Sequence, residues 1–149
     1  MAFQNLTRCR SCRSTNRIPA KHLADTGRCG SCKAPLGPVA EPIEADGSSL
    51  LPIIEEARVP ILIDFWAPWC GPCRVAAPEV EELAKEMAGR ALVLKVDTEA
   101  HPELAELYQI QSIPHFAVFH KGTQFMQHSG LAPRREMRRW LEEAGAPLA

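Results

Sequence analysis

The chain is 149 residues long, 46% hydrophobic and 23% charged, with a formal net charge of −1, enough for one ordinary core and a small appendage. The charge is split: residues 1–40 carry seven Lys and Arg against one acid, and residues 41–149 ten against seventeen, which points to two units. Arg8 and Arg10 interrupt the opening residues where a signal peptide needs ~7 to 15 apolar ones, and no window approaches the ~18 apolar residues of a membrane span. These features argue against a membrane-spanning chain and against a secreted, disulfide-stapled one, and the expected compartment is the cytosol.

Residues 1–36 hold few large aliphatics, Leu6, Ile18, Leu23 and Leu36, and segments below ~40 residues usually need a metal or disulfides to fold. Cys9-x2-Cys12, sixteen residues and Cys29-x2-Cys32 have the spacing of a tetrahedral zinc site. Zinc suits it because the ion needs no redox change and accepts four thiolates at ~2.3 Å. Gly30 is expected to allow the tight turn that aims N–H groups at sulfur, and His22 to be a surface residue. Two structural disulfides are the alternative, and a reducing compartment counts against them. The basic surplus offsets the charge of about −2 left by Zn²⁺ with four thiolates. Nucleic acid is the competing reading of that surplus; the lack of aromatics clustered among the Arg and Lys counts against it.

Residues 37–47, rich in Pro, Gly and acids, read as a linker, with an edge strand available at 39–43. The main domain spans 48–149. Ser48 or Ser49 is expected to cap a helix through 57, with Pro52 in its first turn. Residues 60–66 form an apolar run suited to a strand buried on both faces. A helix over 71–88 follows, with Val75, Val80, Leu83, Ala84 and Met87 at 3–4 spacing and Pro78 kinking it. A second buried strand over 91–97, a short helix over 102–108, and a hairpin of strands 115–120 and 123–129 turning at Lys121-Gly122 come next. An amphipathic helix over 133–144 closes the chain, with Met137, Trp140 and Leu141 inward. The order βαβ then ββα gives the fold class: α/β, a mixed central sheet with helices on both faces.

Trp69-Cys70-Gly71-Pro72-Cys73 falls where a buried strand turns into a helix. The unpaired N–H groups and positive end of that helix favour thiolate at its first cysteine, and thiolate is the nucleophile of disulfide exchange. Cys70 is therefore the attacking cysteine, and Cys73, one turn inside, resolves the mixed disulfide.

Residues 63–73, Ile-Asp-Phe-Trp-Ala-Pro-Trp-Cys-Gly-Pro-Cys, resemble the active-site strand and loop of the thioredoxin family, and the similarity extends over about residues 48–145. The resemblance implies the thioredoxin fold. It makes Asp64 the buried carboxylate behind the resolving cysteine, where it can take that thiol's proton, and Lys95 the lysine beside it. Ile113-Pro114 matches the cis-proline loop whose backbone pairs with an extended substrate segment, Gly130 a glycine on the same surface, and Pro78 the helix-kinking proline. The implied substrate surface comprises Trp69, Gly71, Pro72, Ile113, Pro114 and Gly130. A Gly-Pro pair between the cysteines is characteristic of the reducing members. His115 stands where threonine is usual; an imidazole near the thiols would tune potential or substrate choice, while the plainer expectation is a ring at the surface. Residues 1–36, including Asn16-Arg17-Ile18-Pro19, resemble the N-terminal zinc ribbon of the bacterial type usually called thioredoxin 2.

The expected function is a monomeric protein-disulfide reductase acting on oxidised proteins and recharged by an NADPH-dependent thioredoxin reductase, with one zinc on Cys9, Cys12, Cys29 and Cys32 and no organic cofactor. The alternatives are a zinc-ribbon binding module with an inert thioredoxin-like domain, and a ribbon that senses redox state through its zinc thiolates.

Overall fold

The computed structural model describes residues 3–148. Its first part is two small hairpins: β1 (Gln4–Arg8) pairs with β2 (Thr15–Pro19), and β3 (Gly27–Arg28) with β4 (Pro35–Leu36). Each carries one Cys-x2-Cys turn of the same design. Cys9 N–H donates to Ser14 O and Arg13 N–H to Cys9 O; Cys29 N–H donates to Ala34 O and Lys33 N–H to Cys29 O. The residue after the second cysteine of each pair, Arg13 or Lys33, has φ of 65°. The left-handed residue of the second turn is thus Lys33 and not Gly30, whose N–H instead donates to Asn16 Oδ1 at 2.9 Å.

The second part is a five-stranded sheet of order β5-β7-β6-β8-β9, built from β5 (Ile43–Glu44), β6 (Ile61–Trp66), β7 (Leu92–Asp97), β8 (His115–His120) and β9 (Thr123–Ser129). Strand β6 runs parallel to β7 and antiparallel to β8. The anticipated edge strand is β5, at the far end of the 39–43 stretch. Alternate residues feed two cores, as the period of two in a strand requires. Ile61, Ile63, Phe65, Leu94 and Val96 face α1 (Leu50–Glu56) and α3 (Pro102–Leu107). Leu62, Val93, Phe116 and Val118 face α2 (Gly71–Glu86) and α4 (Arg134–Glu143).

Neither Ser48 nor Ser49 caps α1 with its side chain. Asp46 instead closes the turn that leads into α1: its Oδ1 accepts from the N–H groups of Ser48 and Ser49, while Ser49 Oγ accepts from Asp46 N–H. Val75, expected inward, is 65% exposed, because the inward stripe of α2 passes through Cys73, Ala76, Val80 and Leu83. Pro78 lies inside α2 and leaves the Arg74 carbonyl without its helical donor.

The two parts share a core. Ala20 and Leu23, from the short 3-10 turn after β2, are buried in the cluster that holds Ile53, Ile54 and Ile43, and Val39 N–H donates to Leu23 O at 2.9 Å.

Candidate active site and metal centre

Strand β6 ends at Trp66, and the chain turns through Ala67, Pro68 and Trp69 into α2. Arg74 holds this turn by donating from Nε and a terminal nitrogen to the Pro68 carbonyl at 3.1 and 2.8 Å; the sequence alone did not single it out. Cys70 occupies the position before the first helical residue, and its Sγ accepts from Cys73 N–H at 3.2 Å. The two cysteines form a disulfide with Cα atoms 5.3 Å apart and are 3% and 4% exposed. Trp69 beside them is 67% exposed.

Ile113 packs on Cys70, Cys73 and Ala67, and the Ile113–Pro114 peptide is cis. Gly130, at φ of 95°, donates its N–H to Pro114 O at 2.8 Å, a conformation that favours glycine. Pro114 and Gly130, sixteen positions apart in the sequence, thereby join on one rim. His115 is not at the surface. Its ring is 7% exposed, lies on the α1/α3 side edge-on to Phe65, and bonds Ser129 Oγ at 3.0 Å and Gln127 Oε1 at 3.2 Å. Burial holds its proton affinity below the ordinary value.

Asp64 lies on the opposite face, under α2. It is 1% exposed, and its Oδ1 has no hydrogen-bond partner. Burial pushes its carboxyl up to about 7, opposed by Lys95 and reinforced by Glu44. Lys95 is the cross-strand partner of Asp64, and its Nζ lies 4.5 Å over the Trp66 ring, a cation–π placement.

At the hairpin tips the four thiols of Cys9, Cys12, Cys29 and Cys32 have sulfurs within 4.8 Å of one another. Cys9 and Cys32, and Cys12 and Cys29, are each 3.6 Å apart. A tetrahedral Zn²⁺ with bonds of ~2.3 Å requires sulfurs about 3.8 Å apart, so the cage has the right size and donor set. The N–H groups of Cys32 and Ser31 and the Asn16 amide bring the Cys29 thiol down to about 6, and Ser14 lowers Cys12. Cys32 is lowered by Ala34 N–H, but Cys12, burial and the other sulfurs outweigh it and raise it to about 11. Sulfurs crowded in this way suit a cation held between them. Asn16, which reaches Cys29 Sγ at 3.5 Å and Gly30 N, was visible in the sequence only as part of a motif. His22 pairs with Asp25 at the surface and takes no part in the cage.

The family described as Thioredoxin matches residues 41–143. The chain belongs to the thioredoxin family. It is 37% identical over 135 residues to Thioredoxin C-3 of Corynebacterium nephridii, covering 91% of this chain and 92% of that one. Thioredoxin 1 of Nostoc sp. is 42% identical over 88 residues, 59% of this chain and 82% of its own. Among solved structures, a mutant thioredoxin from Halobacterium salinarum NRC-1 superposes with a TM-score of 0.67 at 29% identity, covering 74% of this chain and 96% of that one. Residues 8–34 match the family described as Thioredoxin 2, N-terminal, a zinc ribbon. Thioredoxin membership makes the chain a thiol-disulfide oxidoreductase, with its cysteine pair at Cys70 and Cys73 and a zinc-ribbon module ahead of it.

Proposed function

We propose that the chain reduces disulfides of oxidised proteins, with Cys70 attacking and Cys73 resolving. The observation that carries this reading is Cys70 Sγ at the N-terminus of α2, accepting the Cys73 N–H. The same donor and the helix end stabilise a thiolate once the pair is reduced. Cys70 thiolate attacks the substrate disulfide, releasing one substrate thiolate and leaving a mixed disulfide. Cys73 then attacks Cys70 Sγ, its proton passing to the Asp64 carboxylate, and the second substrate thiolate leaves. The unpartnered Oδ1 of Asp64 on the face covered by α2 supports its role as proton acceptor, and Lys95 moderates its charge. Trp69, Gly71, Pro72, Ile113, Pro114 and Gly130 form the substrate rim, with the Pro114 backbone offered to an extended segment.

The reading includes one zinc held by Cys9, Cys12, Cys29 and Cys32 in a ribbon of residues 1–36, a linker at 37–47 and a thioredoxin domain from 48. Bound zinc supplies a four-way cross-link; the Asn16, Ser31 and Cys32 donors orient and charge the sulfurs. It also includes a monomer in the cytoplasm, recharged by an NADPH-dependent thioredoxin reductase. Among the described residues no helix is long and apolar enough to cross a membrane.

Insulin reduction with dithiothreitol as electron donor tests the reading. Cys70→Ser is expected to abolish turnover, and Cys73→Ser to stall as a covalent adduct with substrate through Cys70. Turnover unchanged in Cys70→Ser would overturn it.

A further inference from the structure

Glu44, Lys95 and Asp64 form a row across three strands. In the parallel register of β5 with β7, Glu44 stands opposite Lys95, and in that of β7 with β6, Lys95 stands opposite Asp64. With ~4.8 Å between strands, the two acids stand about 10 Å apart, with the lysine between them. One end of the row is closed: Asp64 is buried with an unpartnered oxygen. The other is open: Glu44 is exposed and lines a cleft of about 280 Å³ with Lys95, Lys85 and Glu81. Lys95 is absent from the ion pairs of the described residues and rests over Trp66, so its charge is committed to neither acid.

We propose that Glu44 is a positioning residue for disulfide exchange: by sharing the Lys95 ammonium with Asp64, it sets the pH at which the Asp64 carboxylate takes the Cys73 proton. The inference rests on Asp64 being that base. When Cys73 sulfur bonds to Cys70 sulfur, the Cys70–substrate bond breaks, the substrate leaves as thiolate, and the proton lost by Cys73 sits on Asp64. A negative charge at Glu44 makes that proton harder to shed, directly and by drawing on Lys95; consistent with this, Glu44 and burial act on Asp64 in the same direction and Lys95 opposes them.

Helix α2 presents Cys73, with Glu81 and Lys85 at the cleft. Strand β8 places uncharged Phe116 opposite Asp64, and β9 places His128 one strand further out. Helix α4 turns Met137, Trp140 and Leu141 to this face, while its Arg134 and Arg138 pair with Glu86. Around Glu44 the charges besides Lys95 are Asp97 and His101, and Glu41, Glu81 and Lys85 line the same cleft.

The test is stopped-flow mixing of the reduced, zinc-loaded full chain with a chromogenic aryl disulfide across pH. A first aryl thiolate reports attack by Cys70 and a second reports attack by Cys73. Glu44→Gln is expected to move the inflection of the second phase roughly 0.5 to 1 pH unit lower, leaving the first phase in place. Glu44→Asp is expected to keep the wild-type profile. An inflection unmoved in folded Glu44→Gln, or moved equally in an Asp64→Asn background, overturns the proposal. The two readings separate through Asp64→Asn alone. If it leaves the second inflection intact, the assignment of Asp64 as base fails and takes the role of Glu44 with it; if it abolishes the inflection while Glu44→Gln moves nothing, only the role of Glu44 fails.

Discussion

Replacing Asp64 by Asn should stabilise the oxidised protein, and only above a definite pH. The carboxyl is raised from an ordinary 3.8 to about 7, chiefly by burial. Between those values the folded chain holds a proton that the unfolded chain has released. Folding therefore takes up a proton, and stability falls as pH rises through the window. Each pH unit of that window costs about 1.4 kcal/mol, so the anion of Asp64 destabilises the native state by about 4 kcal/mol above pH ~7.5 and by almost nothing near pH 4. Asparagine keeps the shape and cannot ionise. At pH 8.5 the unfolding free energy of the oxidised variant in urea should exceed that of wild type by about that amount, equivalent to roughly 10 °C in Tm for a chain of this size, and the gap should shrink to about 1 kcal/mol on lowering the pH to 4.5. A gap of the same size at both pH values would refute the reasoning, because it would then owe nothing to ionisation.

Leu23 is 1% exposed in the cluster that joins the ribbon to Ile53 and Ile54, so Leu23→Ala should cost about 2 to 5 kcal/mol and open the ribbon to limited proteolysis with the Cys70–Cys73 pair still active; unchanged protease resistance would show that the shared core does not hold the parts together. Removing zinc with a chelator from the reduced chain should release one ion per molecule, monitored by a zinc-sensitive dye, and leave the hairpin tips cleavable while the far-UV signal of the five-stranded domain persists. Cys29→Ser, which removes the thiol with the strongest thiolate character in the cage, should weaken zinc retention by more than tenfold; stoichiometric zinc in that variant after dialysis would count against a four-thiolate site.

Local signals carried much of the architecture. The apolar run at 61–66, the Lys121-Gly122 turn between strands and the stripe Met137, Trp140, Leu141 each state their own periodicity, and the structure has the strands and helices there. The spacing Cys9-x2-Cys12 and Cys29-x2-Cys32 likewise announced a four-sulfur cage, and Trp-Cys-Gly-Pro-Cys a redox pair. Local pattern misjudged Val75, since a 3–4 spacing fits two neighbouring stripes of α2 and packing selects one. It misjudged Ser49 because its hydroxyl is engaged by Asp46, accepting from the Asp46 N–H and donating to the Asp46 carboxylate.

The sequence by itself determined which residues have the chemistry: two cysteines at a helix start, four in paired turns, a carboxylate inside an apolar strand. These are properties of neighbours along the chain. Only the tertiary structure decided what surrounds them. That Glu44 stands beside Lys95 and Lys95 beside Asp64 depends on the strand order β5-β7-β6, in which residues fifty-one positions apart become adjacent. That His115 turns to Phe65, away from the α2 face that covers Asp64, depends on the register of β8 against β6, because a shift of one residue exchanges the two faces. The proton affinity of Asp64 follows from burial beneath α2, and no property of the residues beside it in sequence contains that.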